Sequence, residues 1–241
     1  MYSLAPVAAA MDLLSSALVA ISSALTPVVP AGAAGLSIVL LTVAVRLALV
    51  PVAVSQVRAE KVRKRIAPDL ARISTRYRKD PQRMMTEQRK VYSEAGSSPF
   101  AGCLPGLVQI PIVLALYGVF VGASGADNAL LSDTFGGVEL GATLTATSQG
   151  AMVEPVFVLI IAFLAVIAWA QRRYVMVPTM RDNAAVSTGA ATPQMPGIVT
   201  YLPYMTAVVA AFVPLAAGLY LLVSTGWALG ERLILRRILP D

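Results

Sequence analysis

Five apolar runs divide this chain, over residues 36–57, 104–123, 155–170, 198–213 and 215–235. An α-helix rises about 1.5 Å per residue, so about 20 apolar residues cross a hydrocarbon core of about 30 Å. The third and fourth runs are short for that task, which suggests a locally thin bilayer. The last two almost merge, with only Phe212-Val-Pro-Leu215 between them. Proline there ends one helix or kinks a longer one. The combined stretch is too long for one crossing and predicts a tight helical hairpin.

Two polar segments carry their own helical periodicity. In residues 8–25, Met11, Leu14, Leu18, Ile21 and Leu25 recur at spacings of three and four, while Asp12, Ser15, Ser16, Ser22 and Ser23 fill much of the other side. That pattern predicts a helix lying in the membrane interface, ended by Pro27 and Pro30, with a short extra span as the competing reading. After the first run, Val62, Ile66, Leu70, Ile73 and Tyr77 form one apolar stripe, and Met84, Met85, Gln88, Val91 and Tyr92 a weaker one. Lys79-Asp80-Pro81 reads as a stop and restart: Asp80 caps a new helix and Pro81 suits its first position. Glu60 and Lys64 are spaced to pair one turn apart. Pro68 is expected to break or bend the first arm, and Gly96-Ser-Ser-Pro99 returns the chain to the second run. No strand pattern is visible.

Composition fits this picture. The 241 residues are 57% hydrophobic and 13% charged, too apolar for a domain with a wetted surface. With no histidine and one cysteine, thiol or imidazole metal clusters, an internal disulfide and histidine-based catalysis are excluded. Cys103 reads as a small core residue. No glycine-rich phosphate loop and no nucleotide site appear, so no cofactor and no metal is expected.

The net charge of +6 is unevenly placed. Residues 58–90 hold 12 Lys or Arg against four acidic residues. Residues 124–154 hold no basic residue and four acidic ones, Asp127, Asp133, Glu139 and Glu154. Arg172, Arg173 and Arg181 follow the third run; Arg232, Arg236 and Arg237 follow the fifth. Thus 18 of 19 basic residues fall on one side, a positive-inside signal. It places the N-terminus outside and the C-terminus in the cytoplasm. No basic residue precedes Arg46, so the N-terminus does not read as a signal peptide.

The expected fold class is all-α: a polytopic membrane protein with five transmembrane helices, an N-terminal interfacial helix and a cytoplasmic helical hairpin. Residues 1–30 form the outer N-terminal segment and 31–57 span one; 58–97 form the basic hairpin and 98–123 span two. An outer loop, 124–154, leads to span three, 155–170. A cytoplasmic loop, 171–197, leads to span four, 198–213, and 214–241 is span five with a short basic tail.

One residue breaks the apolar pattern. Arg46 sits inside the first run with no opposite charge among its neighbours. A lone cation at that depth costs about 3 kcal/mol on insertion scales and roughly 10 or more by simulation. Such a residue either handles something polar inside the membrane or bonds carbonyls of a neighbouring helix. Thr42, one turn earlier, shares its face and either lines a cavity or bonds its own helix carbonyls. Gln109, between Pro105 and Pro111, is an amide that is hard to hide in hydrocarbon. Ser224 and Thr225 face inward or serve close helix packing. Tyr117, Tyr220 and Trp227 read first as interfacial anchors or core. No carboxylate lies centrally in any run, so a proton or sodium relay has no carrier. The basic hairpin, with Arg58, Lys61, Arg63, Lys64, Arg65, Arg72 and Arg76, reads as a contact surface for anionic lipid headgroups or for a docked partner. Direct sequence-specific nucleic-acid binding is not expected, because no RNA-binding motif accompanies the arginines.

Residues 36–120 resemble the core of the YidC/Oxa membrane protein insertases. The segments that carry this are Leu36-Ser-Ile-Val-Leu-Leu-Thr-Val-Ala-Val-Arg46, the basic hairpin, and Ser98-Pro-Phe-Ala-Gly-Cys-Leu-Pro-Gly-Leu-Val-Gln-Ile-Pro-Ile112. The resemblance continues more weakly to about residue 237, through Pro214 and Leu219-Tyr220 to Ser224. It departs at Ala216, where the family often has glycine, and at Leu221, where it usually has a second aromatic. It implies a membrane protein insertase and chaperone, not an enzyme. Its hydrophilic groove would be open to cytoplasm and lipid and closed outward, holding Arg46 with Thr42 and Gln109 on its wall and Tyr220 and Ser224 on the last span. Implied partners are nascent membrane proteins and the bilayer, with the ribosome and Sec translocon as further candidates. The short tail argues against ribosome docking through it. The alternatives are an anion or solute transporter, which would predict an internal repeat that is not seen, and a structural subunit of a translocon. An intramembrane protease lacks the needed histidine or aspartate pair.

Overall fold

The computed structural model describes residues 5–30, 32–96, 98, 118, 131–144, 154–180 and 200–239. Apart from residues 98 and 118, the predicted second span, with Cys103, Gln109 and Tyr117, lies outside them.

Helix α1 (Ala5–Leu25) packs on α2 (Ala33–Ala48) through Met11, Leu14 and Leu18, all buried in the common core. It stops where Pro27 has no amide to offer, and Val28 and Val29 close a turn on the Leu25 carbonyl. Its polar side is not continuous. Ser15 and Ser22 are buried while Leu13 and Val19 face out. Ser15 enters the core at little cost because its hydroxyl donates to the Asp12 carbonyl at 3.1 Å.

The first apolar run is not one straight helix. α2 ends at Ala48, and α3 (Val50–Arg76) departs at 52°. Pro51, in the first turn of α3, cannot donate to the Leu47 carbonyl, so the helix ladder is interrupted there. The expected boundary between span one and the basic arm at 57/58 therefore has no backbone counterpart. Hydropathy changes at 58; the backbone changes at 49. The expected break at Pro68 is also absent, since α3 runs through it to Arg76. Ile66 and Leu70 of the predicted stripe are buried, and Ser74 joins them. Helix α4 (Pro81–Glu94) packs against α3 and starts as its sequence requires: Pro81 opens it, and the Asp80 carboxylate accepts from the Arg83 amide at 3.0 Å. Met85 of the second stripe is exposed.

Residues 131–144 hold a two-stranded antiparallel ribbon, β1 (Thr134–Phe135) and β2 (Val138–Glu139), against the expectation of no strand at all. Gly136 and Gly137 both take positive φ, 62° and 87°, as a two-residue hairpin turn demands. Strands this short carry no alternation that a sequence could display. The segment covers one end of the helices. Phe135 lies over Gly35 of α2, leaving no room for a Cβ there, and Val138 and Leu140 are buried in the core.

Helix α5 (Pro155–Gln171) continues through a π-helical turn (Arg172–Met176) to Met180. The helix expected as the third span is thus longer than its apolar run, and it includes Arg172 and Arg173. The expected fourth span is the reverse case. Within its described part the α-helix is only α6 (Tyr204–Ala210), which starts after Pro203. α7 (Leu215–Ile238) follows the break at Phe212–Pro214, as expected. Its 24 residues reach about 36 Å.

The core joins α1, α2, α5, α6, α7 and the ribbon, with Phe157, Leu164, Leu215 and Ala216 among its most buried members. Outside it, α5 exposes Val158, Leu159, Phe163, Val166 and Trp169, and residues 201–212 expose Leu202, Met205, Val208 and Phe212. So wide an apolar surface is unsuited to water. Among the described residues, the helix Pro155–Met180 is long and apolar enough to cross a bilayer, and α2 with α3 passes the same test as one bent pair.

Candidate functional site

Helices α2 and α7 run side by side in the same direction. At one end both are tied to the ribbon segment: Gly35 lies under Phe135, and the Leu215 and Ala216 amides donate to the Ala142 and Leu140 carbonyls, each at 2.9 Å. The first turns of a helix have amides without partners, and here the loop carbonyls satisfy two of them. Small residues allow the close approach that follows. Ala33, Ala34 and Ser37 on α2, and Ala216 and Ala217 on α7, are all buried, while Gly218 faces Ile160 of α5.

Counted from that end, Arg46 lies about 16 Å down α2 and Ser224 about 14 Å down α7. They meet: Arg46 Nη2 donates to Ser224 Oγ. The guanidinium is half-buried, and Ser224 is 4% exposed. An arginine whose flanking residues offer it no opposite charge is anchored by a hydroxyl 178 positions away.

Thr42 follows its bland alternative. Its hydroxyl donates to the Ile38 carbonyl at 2.7 Å, and the residue is 3% exposed. Tyr220 is likewise buried, one turn before Ser224 and within the hydrophobic cluster. Both pack in the α2–α7 contact on the ribbon side of Arg46. Gln109 lies outside the described residues. On the other side of Arg46 the surroundings turn polar. Ser224, Trp227 and Glu231 follow at i, i+3 and i+7 on one face of α7. Glu231 lies about two helical turns beyond Ser224 on that face. Its Oε1 and the Trp227 indole nitrogen are both buried without a hydrogen bond of good geometry among the described residues. Sequence reading placed Glu231 at a span end. Its spacing of seven from Ser224 was the signal that it shares the arginine's face.

A second polar cluster ties the basic arm to the bundle. The Glu60 carboxylate on α3 accepts from Arg232 Nη2 at 3.0 Å and from Arg236 Nη2. Arg236 also donates to the Tyr174 carbonyl, at 3.4 Å, within the π turn of the third span. Burial works to raise the Glu60 pKa, but Arg232 and Arg236 outweigh it and hold the carboxyl below its ordinary value. Beside it, Lys61 Nζ donates to the Leu239 carbonyl at 2.7 Å at the end of α7. Lys61 is therefore turned toward the bundle, in contrast to its expected place on the contact surface. Arg58, Arg63, Lys64, Arg65, Arg72 and Arg76 are exposed along the arm. On the third span, Arg172 stacks on the Tyr201 ring at 4.4 Å.

The family model described as 60Kd inner membrane protein matches residues 26–241. The chain is 32% identical over 224 residues to membrane protein insertase YidC of Streptomyces avermitilis, covering 86% of this chain and 52% of that protein. It is 40% identical over 87 residues to membrane protein insertase YidC of Clostridium perfringens, covering 36% of this chain and 37% of that protein. Against membrane protein insertase MisCA of Bacillus subtilis it is 25% identical over 206 residues, 84% of this chain and 70% of the relative. The chain spans about half the length, or less, of the first two. A half-buried arginine on the bent α2–α3 pair, a capped helix bundle with an apolar exterior, and a family match over nearly the whole length agree: this chain belongs to the 60Kd inner membrane protein family, the YidC/Oxa insertases that its sequence resembles.

Proposed function

We propose that this chain is a membrane protein insertase that draws short polar segments of nascent membrane proteins into a hydrophilic pocket around Arg46 and releases their apolar spans to lipid. The observation that carries this reading is the guanidinium held about halfway along the bundle by Ser224. Toward the ribbon the α2–α7 contact is buried; away from it the residues turn polar. A polar tail entering from the polar end would therefore stop at Arg46. The proposed topology is five spans, with the ribbon outside and the basic arms in the cytoplasm, as the charge distribution requires.

Energetically the pocket shortens the apolar distance that a polar tail must cross. Arg46 attracts acidic or polar groups of the tail, and burial of the client's own span drives the step. About 20 apolar residues leaving water release far more free energy than a short polar tail costs to move. No nucleotide hydrolysis and no covalent step are needed. The exposed arginines of α3 would receive the chain or rest on anionic headgroups, with the ribosome and Sec translocon as candidate partners.

The test compares Arg46→Ala with Arg46→Lys in cells depleted of their native insertase, using a single-span client with an acidic tail. Arg46→Ala is expected to cut insertion about tenfold, the size of one lost charge interaction of roughly 1.4 kcal/mol. Arg46→Lys retains most of it. Wild-type insertion by both variants would end the charge model.

A further inference from the structure

We propose that Arg172 and Arg173 form a binding site for the phosphate of an anionic phospholipid, at the end of the bundle away from the ribbon. The site is separate from the Arg46 pocket and stands without the insertase reading. Its place follows from α5. Val156, at the start of that helix, meets Gly136 of the ribbon, and Arg172 comes 16 residues later, about 24 Å along the axis. Helix α6 packs beside α5. Both turn apolar side chains outward, Phe163, Val166 and Trp169 from α5 and Met205 from α6. Val166, Trp169 and Arg173 fall at i, i+3 and i+7, so Arg173 stands at the head of that exposed stripe. Arg172 is held in place beside it. Its Nη2 donates to the Tyr201 hydroxyl at 3.2 Å and its Nε to Thr200 Oγ1 at 3.4 Å, while Cζ lies 4.4 Å from the centre of the Tyr201 ring. Arg173 Cζ lies 5.9 Å from the Tyr174 ring, which meets Trp169 edge-on at 6.2 Å. Trp169, Tyr174 and Tyr201 are all exposed, and half-wetted rings of this kind sit at headgroup depth. Hydroxyls and ring faces orient a guanidinium but carry no counter-charge. Arg232 and Arg236 share Glu60; among the described residues, no carboxylate pairs with Arg172 or Arg173. A phosphodiester supplies that charge in a shape the planar guanidinium matches. The acyl chains of the same molecule then lie along the apolar stripe below it. An acidic side chain alone would supply the charge and leave the stripe uncovered.

The experiment uses the full chain with Trp227→Phe, which leaves Trp169 as its one tryptophan. It is reconstituted in vesicles of phosphatidylglycerol and phosphatidylcholine in equal amounts. One lipid at a time carries bromine on its acyl chains, which quenches indole fluorescence on contact. The ratio of the two quenching signals reads the lipid composition beside Trp169. The parent chain is expected to prefer phosphatidylglycerol there about fivefold, the pull of one basic residue near an anionic lipid surface. Arg172→Gln with Arg173→Gln abolishes the preference. Arg173→Gln alone, at an exposed side chain that leaves the Tyr201 contacts intact, lowers it to about twofold and serves if the double variant does not fold. Arg63→Gln with Arg65→Gln removes the same charge from the arm and leaves the preference unchanged. No preference in the parent chain, or an equal fall in the arm variant, overturns the inference. It also falls if a bound client with an acidic tail abolishes the preference while the same client with a neutral tail does not, since the pair then serves clients. The insertase reading is judged by Arg46→Ala and survives any of these results.

Discussion

Arg46 and Gly35 lie on the same helix and are constrained by opposite means. Arg46 needs a partner, because an unpaired cation at mid-bundle depth is costly, and Ser224 supplies one. Gly35 needs emptiness: a Cβ there would lie 2.3 Å from Cδ2 and 2.8 Å from Cγ of Phe135. The ring cannot give way at its root without lifting the ribbon. Gly35→Ala is therefore expected to destabilise the protein by about 1–3 kcal/mol through overpacking. A lower unfolding temperature in detergent and faster protease cleavage within residues 131–144 would show it. Adding Phe135→Ala to Gly35→Ala should cost less than the sum of the two single changes, because each relieves the other's clash or void. Strict additivity would mean that the two residues do not meet.

The bend between α2 and α3 shows how one backbone atom outweighs a hydropathy pattern. The apolar run passes smoothly through residue 49, yet the helix turns by 52° there because Pro51 carries no amide proton. Restoring that proton with Pro51→Ala should relax the bend. Spin labels at the exposed positions Leu40 and Arg65 should then move apart by about 3 Å, from the rise of a straighter helix. An unchanged distance would assign the bend to packing of α3 on α7 instead. Pro68 teaches the converse, since it lies inside a helix that continues past it. Sequence marks where prolines are; their surroundings decide which of them break a helix. The cap at Asp80 was legible because it is made by neighbours three residues apart.

Across the whole molecule, two polar clusters tie the helices together at different depths: Arg46–Ser224 at mid-bundle and Glu60 with Arg232 and Arg236 at the far end of α7. The second joins α3, α7 and the third span, so it fixes how the basic arm leaves the bundle. The sign of its pH dependence follows from its pKa. Burial pushes the Glu60 carboxyl up, but the two guanidiniums hold it lower in the folded protein than in the unfolded chain. The folded state then gains stability from Glu60 above the ordinary glutamate value, about 4.3, and loses it as pH falls through the lower folded value. Glu60→Gln should cost about 1–2 kcal/mol at pH 7, the worth of hydrogen bonds to a charged group. The gap to wild type should close progressively in acid. Unfolding temperatures recorded from pH 7 to pH 3 would reveal that convergence, and a constant gap would count against the ion cluster.

Much of this was legible in the chain alone. The apolar runs, the uneven placement of charge, the breaks at Pro27 and Pro214 and the resemblance that led to the family are local properties. They add up residue by residue and need no knowledge of what lies opposite. The tertiary structure decided what faces what. It gave Arg46 a hydroxyl 178 positions away and joined Glu60 to an arginine 176 positions away. It turned Lys61 inward to the end of α7, buried Thr42 on its own helix carbonyl, and laid a two-stranded ribbon over glycines whose role had no signature. The physical reason is one of register. Which side chains meet across two helices depends on the rotation and depth at which they pack, and those are set by the small residues and caps at their ends.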